Sequence, residues 1–157
     1  MNVEDFVNSS RMQWTAENRF RVEATFEGLR FIDDPVEALV EKAGVDDESV
    51  AYNINSAVHE ICTNIVEHAY QFAQNEQIDV WMHLEERPAA SLTVTLRDRG
   101  RPYRNGRDAP GEPSSLLEDH GEGGYGLFLA NALMDDVEYR RIDGYNEWRL
   151  KKNILAS

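Results

Sequence analysis

Three short groups of residues in this chain have side chains and spacings suited to chemistry, and the first lies on a predicted helix. Glu60 and Asn64 are four residues apart, so they lie one above the other on one helix face, and His68 continues that line a turn further on. This face points away from the apolar stripe of the same helix. Amide and carboxylate oxygens suit a hard cation such as Mg²⁺. An ordinary solvated helix face is the alternative.

The second group comes at the end of a predicted strand, where Asp98 is followed two residues later by Gly100. Glycine lets the backbone approach closely, so this pair can place a carboxylate at the floor of a pocket. A buried acceptor of this kind can receive an exocyclic amine, the group that distinguishes adenine from guanine at that edge. A plain turn has the same pattern and is the alternative.

The third group is rich in glycine and leads into a predicted helix. Residues 121–126 contain four glycines, and the run Gly123-Gly124-Tyr125-Gly126-Leu127 enters an apolar segment. Exposed backbone N–H groups at a helix N-terminus form an anion site suited to phosphate. The run is not a Walker loop, because the Gly-Lys-Ser/Thr sequence is absent. A flexible loop is the alternative.

Hydrophobic periodicity indicates the elements that must position these groups. Alternating apolar residues predict strands at 19–24, 77–84, 91–97, 137–142 and 147–152. Helical spacing predicts helices at 35–43, 47–70 and 127–134, with a start nearer Leu29 left open for the first of them. The stretch 98–124 is predicted to be mostly loop. The order β-α-α-β-β-loop-α-β-β predicts an α+β fold, a two-layer sandwich of antiparallel strand pairs and helices.

Composition and charge narrow the class of protein. The 157 residues carry 29 acidic and 16 basic side chains, which gives a net charge of −13. This charge argues against a protein that binds nucleic acid through its phosphates, because such binding needs basic side chains. Residues 97–107 depart from this balance with five arginines, either as a solvated loop or as a segment that concentrates a small anion. No apolar run suits a membrane span, the N-terminus lacks a signal-peptide pattern, and the single cysteine, Cys62, fits a reducing cytoplasm. We expect a cytoplasmic protein with an N-terminal arm, residues 1–18, and one domain, residues 19–157.

Taken in order, the three groups resemble the N, G1 and G2 boxes of the histidine-kinase-like ATPases, the GHKL superfamily. Within it, the chain is similar to the bacterial anti-sigma factor serine/threonine kinases, whose G2 box runs Glu-Gly-Gly-x-Gly-Leu and is followed by Leu-Met-Asp. Here the pattern reads Glu122 to Leu127 and then Leu133-Met134-Asp135. The resemblance covers residues 19–152. It implies the GHKL (Bergerat) sandwich, with a mixed, mainly antiparallel sheet and helices on one face.

The resemblance implies a role for each matching residue. Asn64 would coordinate Mg²⁺ on the phosphates of ATP, and Glu60 would be the catalytic base that takes the proton from a substrate serine. Asp98 would accept a hydrogen bond from the adenine amine, with Gly100 allowing close approach. The other residues implied to bind the nucleotide are His68, Gly123, Gly124, Tyr125, Gly126 and Leu127. The stretch 101–122 would form a lid over ATP.

Together these roles imply an ATP-dependent anti-sigma factor that is also a serine protein kinase. Such a protein binds a sigma factor or a similar target and phosphorylates a serine of a STAS-type antagonist, and homodimers are a family expectation. One departure concerns the lid: where the family often carries aromatic-Asp-Pro after the G1 glycine, this chain has Pro102-Tyr103-Arg104-Asn105. Two other functions remain open from the sequence, a nucleotide-gated binding module without phosphotransfer and an ATPase with partners unrelated to transcription.

Overall fold

The computed structural model describes residues 15–86, 89–103 and 124–154, and the structural statements below concern those ranges. The strands are β1 (Thr15–Glu23), β2 (Gln77–Glu85), β3 (Ser91–Asp98), β4 (Asp136–Ile142) and β5 (Tyr145–Asn153). The helices are α1 (Asp33–Lys42), α2 (Glu48–Asn64) and α3 (Gly124–Leu133). A 3₁₀ turn, Gly28–Ile32, precedes α1, and a π-helical turn, Ile65–Ala69, follows α2 directly.

The strands form one sheet in the order β1-β2-β3-β5-β4, and every neighbouring pair is antiparallel. Because successive side chains point to opposite faces, the alternating residues of β2 and β3 place one apolar face inward. The inward residues include Ile78, Val80, Met82, Leu84, Leu92, Val94 and Leu96, each no more than 2% exposed. The predicted α+β sandwich is therefore confirmed, and its sheet is antiparallel throughout the described strands rather than mixed.

The helices cover this inward face, and their apolar stripes join the sheet in one core. Core residues of the three helices include Val36, Leu39, Ile54, Ala57, Ile61, Leu127 and Ala130. α2 packs against both α1 and α3. Asp47 caps its N-terminus by accepting a hydrogen bond from the Ser49 N–H at 2.9 Å. The central position of α2 fixes the residues at its C-terminal end against the sheet.

The opposite face of the sheet, called the open face here, carries polar and charged side chains. One cross-strand row alternates in charge from β1 to β4 and consists of Arg21, Asp79, Arg97, Glu147 and Arg140. Arg21 Nε donates to Asp79 Oδ1 at 2.6 Å. Glu147 accepts from Arg97 Nε at 2.8 Å and from Arg140 Nε at 2.6 Å. Pairing of opposite charges lets this face remain uncovered by helices.

Several element boundaries differ from the sequence prediction. β1 begins at Thr15 rather than at residue 19, because pairing with Glu85 at the end of β2 extends it beyond the residues that alternate. The helix predicted over 47–70 is wrong at its end, where α-helix gives way to the π-helical turn. α3 begins at Gly124, three residues before the predicted start. Residues 1–14 of the predicted arm and residues 104–123 of the predicted loop lie outside the described ranges.

Within the described ranges, no helix combines the length and the apolar character needed to cross a bilayer.

Candidate functional site

The first group of predicted site residues lies at the C-terminal end of α2. Asn64 is the last residue of the helix and only 8% exposed. Glu60, one turn earlier, is partly exposed and lines an open groove between α1 and α2. The carboxylates that share this groove are Asp33, Glu37, Glu41, Asp46, Asp47 and Glu48. Glu60 is therefore reachable from solvent, while Asn64 is largely enclosed.

The π-helical turn changes the expected position of His68. The Tyr70 N–H donates to the Ile65 carbonyl, five residues back, at 2.9 Å, so this turn holds one residue more than an α-helical turn. His68 lies within this π-helical turn rather than in the α-helix that carries Glu60 and Asn64. Its Nε2 is shielded from solvent without a hydrogen-bond partner in the described ranges and lies 3.8 Å from Glu67 Oε1.

Asp98, the last residue of β3, is a buried carboxylate with two unlike oxygens. It is 2% exposed. Oδ1 accepts the Gly100 N–H at 2.8 Å and the Asn146 amide at 2.7 Å, whereas Oδ2 is buried and has no hydrogen-bond partner among the described residues. Burial raises the pKa of Asp98, and the hydrogen bonds of Asn146 and Gly100 offset only part of that rise. Such an orphaned acceptor is costly unless a donor meets it.

Gly100 packs the turn after Asp98 directly onto the π-helical turn. A Cβ atom built at this position would lie 2.5 Å from both the carbonyl carbon and the oxygen of Ala69, so no larger residue fits without movement. The Arg101 N–H donates to the same Ala69 oxygen at 2.9 Å. The structure thus packs the turn that follows Asp98 against the π-helical turn that holds His68.

Tyr70 connects the same two segments through its hydroxyl. This oxygen accepts the Arg99 N–H at 2.9 Å and donates to the Gln77 carbonyl at 2.7 Å. Burial and the nearby Asp98 carboxylate raise the pKa of the Cys62 thiol on α2 far above its usual range. α2, β2 and the turn after β3 therefore meet around one buried carboxylate.

The sequence did not indicate the residues of β4 and β5 that complete the surroundings of Asp98. Tyr139 donates its hydroxyl proton to Asn146 Oδ1 and accepts the Tyr103 N–H at 2.9 Å. The rings of Tyr103, Tyr139 and Trp148 lie edge-on or tilted to one another, with centroids 4.7 to 5.6 Å apart. The signal that could have found these residues is the pairing of β3 with β5, because its register places Asn146 opposite Asp98.

The glycine-rich group is described from Gly124 onward, and Gly123 lies outside the described residues. Gly124, Tyr125 and Gly126 form the first turn of α3, and Leu127 is fully buried in the core. The first N–H groups of a helix have no partner within the helix, so this turn offers donors to an anion. Since α3 packs against α2, those donors belong to the same side of the sheet as Glu60 and Asn64.

The arginines at 97–107 do not act as one unit. Arg97 lies on the open face in its ion pair with Glu147, on the opposite side of the sheet from Asp98. Arg99 donates to the Tyr145 hydroxyl at 2.6 Å and lies over that ring at 5.0 Å. Arg101 is exposed, and Arg104 and Arg107 lie outside the described residues. Arg97 is therefore excluded from any ligand held at Asp98.

The donor set at this site fits a magnesium ion that brings most of its own ligands. In the part of the chain that the structure describes, no three His, Cys, Asp or Glu side chains are grouped to hold a metal. Asn64 offers one amide oxygen, in a buried position at the end of α2. Mg²⁺ commonly takes few protein ligands and completes its shell with water and phosphate oxygens, so a single amide beside a polyphosphate is consistent with its chemistry.

The chain matches the family described as the histidine kinase-like ATPase domain over residues 22–152. It is 36% identical over 98 residues to the serine-protein kinase RsbW of Halalkalibacterium halodurans, which is 59% of this chain and 56% of that protein. It is 33% identical over 101 residues to the RsbW of Oceanobacillus iheyensis, covering 62% and 61%. With the RsbW of Bacillus subtilis the identity is 33% over 96 residues, covering 59% and 58%. The chain thus spans about six tenths of the length of these relatives.

A solved structure has a similar fold. The RsbU and RsbW domains of Rv1364c from Mycobacterium tuberculosis superpose on 88% of this chain and 32% of that chain, with a TM-score of 0.55 and 18% sequence identity. At this identity the likeness concerns the fold alone.

Proposed function

The chain belongs to the histidine kinase-like ATPase domain family, and we propose that it binds ATP and transfers the γ-phosphate to a serine of a partner protein. The observation that carries this proposal is Asp98 Oδ2, a buried acceptor at the end of β3 that has no partner among the described residues. The turn that follows it packs against the π-helical turn, which continues from the helix that bears Glu60 and Asn64. Identities of 33 to 36% with serine-protein kinases support the same reaction.

Adenine recognition follows from the difference between the two oxygens of Asp98. Oδ1 is occupied by two donors, so Oδ2 is the acceptor left for a ligand. Adenine presents an amine at C6 and guanine presents a carbonyl oxygen. An acceptor at the pocket floor binds the amine and repels the carbonyl, because two acceptors cannot share a hydrogen bond. The site therefore selects ATP over GTP.

Phosphate transfer requires a base beside the terminal phosphate. In our proposal the Glu60 carboxylate takes the proton of the serine hydroxyl while the serine oxygen attacks the γ-phosphorus. The bond from that phosphorus to the bridging oxygen of ADP breaks, and ADP leaves with the bond's electrons. Glu60 suits this role because it is reachable from the groove between α1 and α2.

Asn64 and the start of α3 would hold the phosphates. Mg²⁺, when bound, supplies positive charge that stabilises the transferring phosphoryl group. The Asn64 amide oxygen would orient it one turn from Glu60. The N–H groups of Gly124, Tyr125 and Gly126 would donate to the phosphate oxygens. Gly123 and Leu127 would lie at the same phosphate site, and His68 would line the nucleotide site.

The proposal also concerns the proteins with which this chain interacts. We propose that the serine belongs to a STAS-type antagonist and that the second partner is a sigma factor or a similar regulator. We propose the cytoplasm as the setting and a homodimer, which the resemblance implies, as the active form. The acidic surface favours protein contacts over direct binding to DNA.

The proposal is tested by incubating the protein with Mg-ATP and each STAS protein encoded beside its gene, and by reading phosphoserine with mass spectrometry. We expect one phosphorylated serine, and replacing that serine by alanine should remove the signal. Glu60→Gln should lower the transfer rate by about 10²- to 10⁴-fold while ATP binding persists. The matched control is Glu48→Gln, on the same helix and in the same groove, which should transfer phosphate at the normal rate.

Asn64→Ala separates metal binding from base catalysis, because it should weaken Mg-ATP binding itself. A protein that binds ATP but phosphorylates no antagonist would contradict the kinase proposal and leave a nucleotide-gated binding module. Equal transfer by wild type and Glu60→Gln would remove Glu60 as the base.

A further inference from the structure

Asn146 lies beside Asp98 in the middle of the sheet. It is the second residue of β5, is 1% exposed, and pairs directly with Asp98 across the β3–β5 ladder. A buried amide needs partners for two N–H donors and one oxygen. Where those partners lie determines which end of the amide faces the carboxylate.

The partners of the Asn146 oxygen fix the orientation of the amide. Oδ1 receives the Tyr139 hydroxyl proton and the Arg141 guanidinium, whose Nη1 lies 3.0 Å away. A guanidinium can only donate, so an oxygen must occupy this position, and the Tyr139 hydroxyl then donates to it. Nδ2 must therefore face the other way, where it donates to Asp98 Oδ1 at 2.7 Å and to the Arg101 carbonyl at 2.8 Å. Every hydrogen-bonding atom of the side chain is used.

This orientation imposes an asymmetry on Asp98. Two donors, the Asn146 amide and the Gly100 N–H, converge on Oδ1 and hold the carboxylate in one rotamer. Oδ2 is then directed away from both and stays without a hydrogen bond in the described ranges. Without the amide, the Gly100 N–H alone would hold a carboxylate that could turn about its Cβ–Cγ bond.

We propose that Asn146, oriented by Tyr139 and Arg141, is a positioning residue that presents Asp98 Oδ2 to the adenine amine and so sets the preference for adenine. This inference rests on the proposed function, since it concerns how the proposed ATP site reads its base. Asn146 acts through Asp98 and need not touch the nucleotide.

The same amide affects the charge of Asp98. Among the described residues, the ionisable groups that face this carboxyl include Arg141 from β4, Cys62 from α2 and Tyr70 after the π-helical turn. Burial raises the pKa of Asp98, while the Asn146 hydrogen bond and the Arg141 charge oppose the rise. Removing the amide should therefore raise this pKa further. A protonated Oδ2 would present a donor where adenine needs an acceptor.

The experiment measures ADP and GDP dissociation constants between pH 5 and 8 by calorimetry, for wild type and Asn146→Leu, with the melting temperature recorded alongside. We expect ADP binding about 10-fold weaker at pH 7 and a smaller ratio of GDP to ADP dissociation constants, since a hydrogen bond to a charged group is lost. The pH below which ADP affinity falls should move upward. The matched control, Asn153→Leu on the exposed end of β5, should change none of these readings.

The outcomes separate this inference from the proposed function. A wild type that binds no ADP overturns the proposed function. A wild type that prefers ADP, with an Asn146→Leu variant that keeps both the preference and the pH profile, overturns the role of Asn146 alone.

If Asn146→Leu does not fold, Tyr139→Phe carries the test, because it keeps the ring and removes only the hydroxyl that orients the amide. It should shift base preference and pH profile in the same direction by a smaller factor. An unchanged ratio of GDP to ADP dissociation constants in a folded Tyr139→Phe would equally contradict the proposal.

Discussion

Asp98 and Glu147 are buried carboxylates in adjacent cross-strand rows on opposite faces of the β3–β5 ladder, with exposures of 2% and 3%. Glu147 lies on the open face between Arg97 and Arg140, and each of its oxygens accepts a hydrogen bond. Asp98 lies on the covered face, where one oxygen has two donors and the other has none among the described residues.

The pKa values of the two groups move in opposite directions. Burial alone would raise the pKa of Glu147, but the hydrogen bonds and charges of the two arginines outweigh it and lower the pKa. At Asp98 burial dominates and the pKa is raised. A carboxylate whose partners are complete serves the stability of the sheet. One that is buried, incompletely paired and next to a helix end is available to a ligand.

The largest expected effect is on nucleotide affinity and comes from replacing Asp98 Oδ2 with an amide nitrogen. In Asp98→Asn, the two donors at Oδ1 should hold the new amide oxygen there and leave its NH₂ in the place of Oδ2. A donor would then face the adenine amine, so ADP affinity should fall about 100-fold while GDP affinity rises. Glu147→Gln should leave both affinities unchanged. Calorimetric titration checks this, and equal losses in the two variants would remove the distinction between the carboxylates.

The next effect is on folding stability and concerns the packing that gives Asp98 its surroundings. Gly100→Ala places a methyl group against the Ala69 backbone and should lower the free energy of unfolding by about 2–3 kcal/mol. Gly144→Ala, in the hairpin that leads into Glu147, meets no atom within 4 Å but must adopt a φ of +84°, which costs about 1 kcal/mol. Denaturant unfolding measures both, and a larger loss at Gly144 would contradict this account of the turn.

The smallest effect is the pH dependence of stability, where the two carboxylates should differ in sign. Because the pKa of Glu147 is lowered, its contribution is present above its ordinary value of 4.5 and is lost as pH falls through the folded-state pKa. Because the pKa of Asp98 is raised, its ionisation costs stability as pH rises above 3.8, and the cost is complete above the folded-state pKa.

Relative to wild type at pH 7, Asp98→Asn should therefore melt higher and Glu147→Gln lower, by about 2–4 °C each. Both differences should shrink towards pH 3. Melting curves from pH 3 to 7 provide the measurement, and differences of the same sign would show that the two environments are alike.

The sequence predicts the parts of this molecule that depend on local pattern. Alternation in 77–84 and 91–97 predicts two strands that form with nearly those bounds. The Asp98 and Gly100 pair predicts a carboxylate with closely packed backbone beside it, and the structure has a buried carboxylate with Gly100 against the Ala69 backbone. These features follow from residues that are neighbours in the chain, whose spacing is visible without tertiary structure.

The remainder depends on contacts between distant segments. Asn146 is 48 residues from Asp98, and no local pattern distinguishes it from an ordinary strand residue. The π-helical turn was hidden because residues 65–69 continue an α-helical apolar spacing, and the turn at Gly100 against which Ala69 packs is distant in the sequence. Asn18 is a similar case: it is fully buried in β1 with neither amide atom hydrogen-bonded in the described ranges, and nothing in its sequence context indicates this.

The strand order also has a consequence for folding kinetics. The β2–β3 and β4–β5 hairpins are local in sequence, whereas the β3–β5 ladder joins segments on either side of a long connection. Closing such a connection costs more entropy than closing a hairpin, so we expect the two hairpins to form before they meet. Asp98 belongs to one hairpin and Asn146 to the other. The surface around Asp98 would thus be completed only in the folding step that joins the two hairpins. A nucleotide would bind only to chains in which this step has occurred.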